Sequence, residues 1–336
     1  MTDLHVTVII PSTLKMAQRP FLRQAIASIE QQKKRSHWQI TICVVSTSQP
    51  SRTFKNEFKH VRFIQAPPNS GFADLNNTAV SFLLPKVRMD HSGWLLLLND
   101  DAWIAENFFE QLALEEEKSR SKRQPAVYAP VMLEAADPTQ IDVFGVEYFR
   151  SGYAKNCRDR KIPTTLATAG CMLLRWEFVE KLIERYGYFF NPIYYYYLED
   201  VDLSIRILMS SGEIKKAEQL IAYHHGSVSS GGRRNTFALY QTYRNILWVL
   251  ICCWPGREIL RNVLNILLVQ AWVLIYGSWS CGILTYPRIW GETVWQLPRL
   301  LEYRKITLRG YNDVRFDTLL APYNFRTYHN TTIPAL

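Results

Sequence analysis

The sequence predicts an α/β protein with a Rossmann-like, mostly parallel sheet covered by helices on both faces, followed by a helical C-terminal region. Short apolar runs alternate with segments of helical periodicity over the first hundred residues. Strands that are apolar on both faces and are joined by helices are typical of such sheets. The 336 residues, 48% of them hydrophobic, are enough for a sizeable core, and this composition excludes disorder, collagen-like repeats and an all-helical rod.

The predicted elements alternate along the first two thirds of the chain. Apolar runs of strand length lie at residues 6–10, 40–45, 61–65, 94–98 and 127–132, and a further run covers 168–174. Helices are expected from Pro20 onward, over 72–84, through a charged segment ending at residue 123, and over 176–186 and 199–211. The stretch that leads to Pro163 is predicted to be irregular. No GxGxxG is present, so the usual dinucleotide fingerprint is absent.

The late part of the chain is both basic and apolar. Residues 1–232 carry 27 basic and 25 acidic side chains, whereas residues 233–310 carry 10 and 3. Arg261 and Arg288 bracket 26 uncharged residues, a window long enough to cross a bilayer but diluted by Asn, Gln, Ser and Gly. The mixture favours helices lying in a membrane interface; a true span or re-entrant hairpin, and a soluble subdomain or dimer surface, are the alternatives. The charge suits an anionic membrane better than nucleic acid.

The cysteines and the N-terminus indicate a reducing compartment. The six cysteines are scattered, none forms a CxxC, and no histidine lies at zinc-finger spacing from them. The N-terminal apolar run is only of strand length and follows Asp3 and His5, which argues against a signal peptide. We therefore expect a protein on the cytoplasmic side, attached peripherally to the inner face of the cell membrane.

An acidic pair follows the most apolar predicted strand. The segment LLLLNDDA delivers Asn99, Asp100 and Asp101 at the carboxyl end of that strand, where open α/β sheets bind ligands. Adjacent carboxylates repel each other, so a cation or hydrogen-bond donors are expected beside them. Hard oxygen ligands suit Mg²⁺ or Mn²⁺ holding a diphosphate. A capped turn between strand and helix is the alternative interpretation, because Asn and Asp are good N-caps.

Two further segments combine reactive residue types. Glu199, Asp200 and Asp202 follow an aromatic stretch with four consecutive tyrosines, which suits a general base beside a sugar-stacking wall or, alternatively, a helix start stabilised by its dipole. The segment HHGSVSSGGRR begins at His224. A neutral imidazole there can complete a metal site, and a Gly/Ser-rich loop with Arg233 and Arg234 can close over phosphates.

The order of these motifs resembles family 2 glycosyltransferases of the GT-A fold, most closely the rhamnosyltransferase-like branch of bacterial polysaccharide biosynthesis. The motifs are VIIP, NSGFADLNN, LLNDDA, GCMLLR, YYYYLEDVDLSIR and HHGSVSSG, and YRNIL extends the series. The resemblance covers about residues 5–250. It implies a catalytic domain over 1–232, with a nucleotide-sugar half at about 1–101 and an acceptor half at about 102–232, before the basic, apolar helical region at 233–336.

The resemblance also implies roles for individual residues. Asp101 would ligate the metal, while Asn99 or Asp100 would contact the ribose. Asp200 would be the catalytic base, with Glu199 beside it. The remaining candidates are implied around the donor: Pro11 and Ser12 at the nucleotide, Gly71, Phe72 and Asn76 bracing it, and His224, or else His225, in the metal shell or at the leaving diphosphate.

Two segments depart from the family pattern. After the second strand, relatives usually carry an acidic residue that helps to hold the base, whereas this chain has Ser46 in the segment VVSTS. Relatives often carry Phe-Asp-Glu where this chain has Phe190-Asn191-Pro192. The first departure leaves the nucleotide open.

The function that follows is inverting, metal-dependent sugar transfer from a nucleotide-diphosphate donor, dTDP-rhamnose or a UDP-sugar, to a growing surface polysaccharide of O-antigen or capsule type. The acceptor would be an oligosaccharide linked to polyprenyl diphosphate at the inner leaflet; a homodimer is a further option, and no nucleic acid is expected. A non-catalytic binding or scaffold protein on this fold and a nucleotidyltransferase are the alternatives. The stretch after the first strand, PSTLKMAQRPF, has none of the glycines that a nucleotidyltransferase normally uses there.

Overall fold

The computed structural model of the protein describes residues 5–33, 38–87, 93–119, 124–226, 235–309, 311 and 316–321. Its strands are β1 (His5–Pro11), β2 (Gln39–Ser46), β3 (Arg62–Gln65), β4 (Trp94–Leu98), β5 (Ala102–Ile104), β6 (Val127–Glu134), β7 (Ile141–Val143), β8 (Val146–Tyr148), β9 (Ala154–Asn156), β10 (Cys171–Arg175) and β11 (Ile214–His224).

The α-helices are α1 (Arg19–Lys33), α2 (Arg52–Glu57), α3 (Phe72–Val87), α4 (Phe108–Ser119), α5 (Trp176–Tyr186), α6 (Glu199–Met209), α7 (Thr236–Cys253), α8 (Gly256–Arg261), α9 (Val263–Trp272), α10 (Ser278–Cys281) and α11 (Thr285–Thr307). A π-helical turn, Val273–Gly277, joins α9 to α10, and short 3₁₀ turns lie at Met16–Gln18 and Phe316–Leu319.

The large sheet has the order β3-β2-β1-β4-β10-β6-β11-β5, and β7 pairs with the outer part of β6. Strands β1, β2, β3 and β4 are parallel to one another, and β6 is parallel to β11. Strand β10 runs antiparallel to both β4 and β6. The predicted α/β class, with a mostly parallel sheet and a helical C-terminal region, is confirmed.

The all-apolar sequence of β4 reflects burial on both sides of the sheet. Trp94, Leu96 and Leu98 pack in a layer that includes residues of α1 and α4. Leu95 and Leu97 pack in the opposite layer, with residues of α3 and α5. Because successive side chains of a strand point to opposite faces, a strand covered on both faces must be apolar throughout.

The predicted elements over residues 6–10, 40–45, 61–65, 94–98 and 176–186 are confirmed within one or two residues. The prediction of an irregular stretch up to Pro163 is wrong, because β7, β8 and β9 lie within it. Strand β11 and helix α2 were not predicted. The helix predicted to end at residue 123 runs to Ser119 in the described part of the chain.

The helices after residue 235 share a core with α6. Val201 and Ile205 of α6 pack with Trp248 and Val249 of α7 and with Ile289 of α11. Asp202 and Arg206 of α6 form a fully buried ion pair at 2.6 Å, and the Cys253 thiol donates to the other oxygen of Asp202 at 3.1 Å. The C-terminal helices are therefore built directly onto the helix that begins with the Glu199-Asp200 pair.

One helix in the described residues, Val263–Cys281, is long and apolar enough to cross a membrane by length and composition. It comprises α9, the π-helical turn and α10. Only 22% of its most apolar window is buried inside the structure. Most of this window is therefore exposed rather than packed against the rest of the structure.

Candidate active site

The carboxyl ends of β1 and β4 bring Ser12 and Asp100 together. The Ser12 hydroxyl donates to Asp100 Oδ2 at 2.7 Å and accepts from the Leu14 N–H at 3.1 Å. Asp100 is only 5% exposed. Burial raises the pKa of Asp100 to about 7; the Ser12 hydrogen bond opposes this shift and the neighbouring Asp101 charge adds to it. A cation or further donors at this site would favour the charged form.

Asp101 and His224 meet because of strand register. Strand β5 starts immediately after Asp101, and its Ala102 lies opposite His224 of β11. His224 Nε2 lies 3.1 Å from Asp101 Oδ1, and His224 Nδ1 lies 2.7 Å from Asp142 Oδ2. Burial alone would lower the pKa of His224, but the hydrogen bonds that the imidazole makes to the two carboxylates outweigh it and raise the pKa to about 9.

Asp142 is a site residue that sequence reasoning missed. It lies on β7, in the stretch predicted to be irregular, and it also accepts from Arg158 at 2.9 Å. An isolated aspartate in the segment IDVFG carries no spacing signal. Its position beside His224 arises only because β7 and β11 both pair with β6.

The donor set around Asp101 fits Mg²⁺ or Mn²⁺ bound together with a diphosphate. A carboxylate oxygen and an imidazole nitrogen are ligand types that Mn²⁺ accepts. The described residues contain no cluster of three or more His, Cys, Asp or Glu that could hold a metal on its own. Such ions commonly take only one or two protein ligands when substrate phosphates complete the shell. The Asp142 contact would orient the imidazole from behind, as outer-shell carboxylates do.

Asp200 is held by main-chain donors at the start of α6. Its Oδ2 accepts from the Ala169 N–H at 3.2 Å and its Oδ1 from the Val201 N–H at 2.8 Å, and the Thr168 hydroxyl also donates to it. Burial raises the pKa of Asp200, and these donors oppose the shift. The carboxylate is therefore fixed in orientation while its proton affinity is increased, which suits a general base.

Glu199 has a different environment. It is 6% exposed, and its Oε2 has no hydrogen-bond partner among the described residues. Burial raises the pKa of Glu199 well above its usual range, and the Asp200 charge adds to the shift. These causes favour a protonated Glu199 beside an Asp200 that has the donors, so Asp200 is the better placed of the two to accept a proton.

The loop before β10 connects the two acidic motifs. The Asn99 N–H donates to the Gly170 carbonyl at 3.0 Å, and the neighbouring Ala169 N–H donates to Asp200. The strand end that carries Asn99, Asp100 and Asp101 and the helix start that carries Asp200 are thus joined through three consecutive residues, 168–170. The structure therefore brings together motifs that lie a hundred residues apart in sequence.

A buried asparagine of α7 holds the main chain in front of α6. Tyr197 and Leu198 have φ angles of 68° and 62°, a left-handed conformation that is costly for side chains of this size. Asn245 is fully buried, and its Nδ2 donates to the carbonyl oxygens of Tyr196 at 2.8 Å and Tyr197 at 2.6 Å. Its Oδ1 accepts from Arg244 Nε at 3.1 Å. Sequence reasoning quoted YRNIL without finding this contact.

Gly71 lies where its backbone meets the tyrosine stretch. The Phe72 N–H donates to the Tyr195 carbonyl at 2.8 Å. A Cβ at Gly71 would lie 2.0 Å from that carbonyl oxygen, so a larger residue cannot occupy the position without displacing the chain. The glycine therefore allows α3 of the predicted donor half to contact the loop that leads to Asp200.

The other predicted site residues have separate environments. Asn76 is fully buried in α3, and its amide donates to the Phe72 carbonyl of the same helix at 2.9 Å. His225 packs against Phe21 and Trp103, and its Nε2 lies 3.1 Å from Gln24 Oε1. Pro11 ends β1. Arg233 and Arg234 lie outside the described residues, so their predicted place over phosphates stays a prediction.

A pocket opens beside the ends of β1, β2 and β3. Its lining consists of Leu14, Val44, Ser46, Ser48, Gln49, Pro50, Lys55, Phe63, Ile64 and Gln65. The polar part of this lining is neutral apart from Lys55, because no carboxylate belongs to it. Gln49 Nε2 donates to Gln65 Oε1 at 2.8 Å. The acidic residue that relatives usually carry where this chain has Ser46 is therefore not replaced by another acid in the lining of this pocket.

The fold is similar to those of solved glycosyltransferases. The structure of residues 1–349 of TarS from S. aureus aligns with 94% of this chain and 83% of its own, at a TM-score of 0.51 and 12% identity. The structure of GalNAc-T7 with UDP, GalNAc and Mn²⁺ aligns with 76% of this chain and 49% of its own, at a TM-score of 0.54 and 15% identity. This chain has a GT-A-like fold. No protein-family model and no curated protein matches the sequence.

The candidate site residues fall into two groups. Asp101 and His224, with Asp142 behind the imidazole, lie at the carboxyl edge of the sheet. Asp200 lies at the start of α6, joined to the first group through the loop at 168–170. One group can bind a metal and anionic oxygens, and the other can take up a proton, which together are the two functions that substitution at a phosphate-bearing carbon requires.

Proposed function

We propose that the protein is a metal-dependent, inverting glycosyltransferase that uses a nucleotide-diphosphate sugar, dTDP-rhamnose or a UDP-sugar. The observation that carries the proposal is the contact between Asp101 and His224, 3.1 Å apart at the carboxyl edge of the sheet and joined to Asp200 through one short loop. The GT-A-like fold supports it. The rhamnosyltransferase-like branch of family 2 is part of this proposal and rests on the sequence motifs.

Asp101 and His224 would hold the metal, with Asp142 fixing the imidazole. A bound Mg²⁺ or Mn²⁺ would supply Lewis-acid stabilisation of the charge that grows on the departing diphosphate. Asp200 accepts the proton of the acceptor hydroxyl as that oxygen attacks the anomeric carbon from the face opposite the diphosphate. Inversion follows because this step is a single displacement.

The acceptor we propose is a growing surface polysaccharide of O-antigen or capsule type, carried on polyprenyl diphosphate at the inner leaflet. Two observations support this: α7 packs on the helix that carries Asp200 and α11 packs on α7, and the segment 233–310 has 10 basic against 3 acidic residues. A cytoplasmic site on the inner face of the membrane is part of the same proposal.

The donor site can be tested without knowing the sugar. Thermal unfolding is measured with UDP, dTDP, GDP and CMP, each with and without Mn²⁺. One nucleotide should raise the melting temperature only when Mn²⁺ is present, because ligand at 100 times its Kd stabilises the native state by about 2.7 kcal/mol. Asp101→Asn should remove this shift, and Glu184→Gln, which neutralises an exposed acid of α5, should keep it. No shift with any nucleotide would contradict the proposal.

The same panel separates catalysis from binding alone. General-base catalysis is typically worth about 10²–10⁴-fold, so Asp200→Asn should keep the nucleotide shift and lose most transfer once a donor is identified. A non-catalytic scaffold is the second candidate, favoured by the absence of a carboxylate from the lining of the pocket beside β1, β2 and β3. It predicts that wild type and Asp200→Asn are equally inactive with every donor whose nucleotide binds.

A further inference from the structure

The exposed apolar side chains are concentrated in one part of the chain. The described residues include 20 large hydrophobic side chains that are exposed, and 15 of them lie between Leu260 and Leu301. Several are more exposed than is usual for their type, including Leu264 at 74% and Trp295 at 83%. Scattered exposed hydrophobic residues need no explanation, but a concentration of this size indicates an interaction surface.

The helix Val263–Cys281 has one outward apolar stripe. Leu264, Leu268, Ile275 and Trp279 are exposed and follow one another at intervals of four, seven and four residues, which places them on one face. Two polar side chains of the same region, Asn262 and Gln270, are buried against the protein, whereas Asn265, Ser278 and Ser280 are partly exposed. The outward face is therefore more apolar than the sequence window suggests.

Helix α11 continues the surface. Trp290, Val294, Leu297 and Leu301 are exposed at intervals of four, three and four residues, and Ile283 and Leu284 are exposed in the connection from α10. Its opposite face, with Ile289, Thr293 and Leu300, is buried in the core shared with α7. We call the exposed residues of the range 260–301 the apolar surface.

Cationic side chains accompany the apolar surface. Arg257, Arg261, Arg288 and Arg299 are exposed within or just before the range. Two acids belong to this segment: Glu258 is buried and paired with Arg261 at 3.0 Å, and Glu292 is paired with Arg244 of α7 at 3.1 Å. Indole and phenol rings such as Trp279 and Tyr286 are also present, and such rings are enriched at the level of lipid headgroups. The apolar stripe, the cationic side chains and the aromatic rings are together the features expected of a surface that binds anionic lipid.

The packing of the helix indicates how it would meet the lipid. The inner side of Val263–Cys281 is held by aromatic contacts, because Trp272 packs edge-to-face on Tyr243 of α7 at 5.5 Å and on Tyr153 at 6.1 Å. A helix that crossed a bilayer would lose these contacts and would take the buried Asn262 and Gln270 into hydrocarbon. Lying in the plane of the interface keeps both the inner packing and the outer apolar contact.

A second copy of the chain fits the surface less well. A two-fold interface places the same patch against itself, so the exposed arginines of one copy would face those of the other. Like charges brought together across an interface oppose association. The charge therefore selects lipid over self-association.

We propose that the apolar surface docks in the plane of an anionic lipid bilayer. The consequence for catalysis, that docking keeps Asp200 close to a lipid-linked acceptor, rests on the proposed function. Lipid binding itself does not, because it can be measured with no sugar or nucleotide present.

The full chain is mixed with vesicles of phosphatidylcholine alone or with about 30% phosphatidylglycerol, whose negative surface potential attracts basic residues. The bound fraction is measured by flotation. Anionic vesicles should bind at least tenfold more tightly than neutral ones, and binding should weaken as salt is added. The Leu264→Gln/Ile275→Gln double variant should bind at least tenfold more weakly. Phe82→Gln, which changes an exposed side chain on α3, is the matched control and should bind like wild type.

Several outcomes would overturn the proposal. These are equal binding to neutral and anionic vesicles, no binding to either, unchanged binding by the double variant, or binding that only detergent reverses, which would indicate a spanning helix. A concentration-dependent dimer that the double variant abolishes would show that the surface joins two copies. Vesicle binding without any nucleotide shift would instead contradict the proposed function and leave the lipid proposal standing.

Discussion

Asn245→Asp is expected to weaken the contact between α7 and the main chain that leads into α6, the helix that carries Asp200. The substitution keeps the size of the side chain and the oxygen that accepts from Arg244, but it replaces the NH₂ group that donates to the carbonyls of Tyr196 and Tyr197. Two partly buried carbonyl oxygens would then face a carboxyl oxygen. The variant therefore tests the two donated hydrogen bonds with little change in packing.

The magnitude follows from the two lost hydrogen bonds. Leaving a buried acceptor unsatisfied costs about 1–3 kcal/mol, so two of them should lower the free energy of unfolding by about 2–6 kcal/mol. The left-handed residues Tyr197 and Leu198 each cost about 1–3 kcal/mol, and without the amide the loop can relax this strain by moving. Because Asp200 follows two residues later, relaxation should displace the base.

Urea unfolding measures the loss of stability. The displacement of Asp200 is measured as a change in the rate of sugar transfer, with the donor identified by the nucleotide panel. The kcat should fall while the metal-dependent nucleotide shift stays, since Asp101 and His224 do not depend on Asn245. Thr242→Val, which removes one hydrogen bond to Ala238 within the same helix, is the matched control and should change stability by about 1 kcal/mol or less. Near-native stability in Asn245→Asp, or lost stability with full kcat, would refute the reasoning.

Three further predictions concern the groups around the site. Arg206→Met should lower the free energy of unfolding by about 3–5 kcal/mol in urea, because it leaves the Asp202 carboxylate buried and unpaired; a change below about 1 kcal/mol would contradict this. Asp142→Asn should weaken Mn²⁺ binding by about 10–100-fold, measured by titration with nucleotide present, because the carboxylate orients His224; unchanged affinity would show that the imidazole needs no such support. The folded-state pKa of Glu199 lies above its unfolded value near 4.5, so its contribution to stability is complete below that pH and is lost as the pH rises through the folded-state pKa. Glu199→Gln should therefore reduce the loss of stability on alkalinisation, and an identical pH profile in wild type and variant would contradict the assigned burial.

The parts of the fold that the sequence predicts are those whose signals are local. Helix α5 was predicted with the correct ends because its apolar period is strong and Gly187, at φ 84°, ends it in a left-handed cap. The sequence predicts strands β1, β2 and β4 because both of their faces are largely buried, which gives apolar runs that only Thr7 of β1 and Thr41 of β2 interrupt.

The elements that escaped prediction depend on distant partners. Strand β11 carries half-buried lysines and exposed glutamate and glutamine within IKKAEQLIAYH, so its alternation is broken, and a bulge between Ala217 and Ile221 shifts its register against β6. Strands β7, β8 and β9 have three residues each, too few for a period to show.

The candidate site divides in the same way. Asn99, Asp100, Asp101 and Asp200 could be found because they follow a strand or open a helix whose position the sequence shows. Asp142 contacts the imidazole of His224, and Asn245 contacts two main-chain carbonyl oxygens. Neither contact produces a motif or a regular spacing in the sequence by which it could have been found.

The antiparallel insertion of β10 has a consequence for the order in which the chain acquires structure during synthesis. Leu98 of β4 pairs with Cys171 of β10, so one edge of the central, wholly apolar strand lacks its neighbour until about 70 more residues have left the ribosome, several seconds at ordinary translation rates. Strand β5 waits longer still for β11. An apolar strand with an open edge is prone to pair with other chains. Nascent-chain chaperones are therefore expected to matter most for this protein between the emergence of Leu98 and that of Arg175, and truncations that end in that interval should aggregate rather than fold.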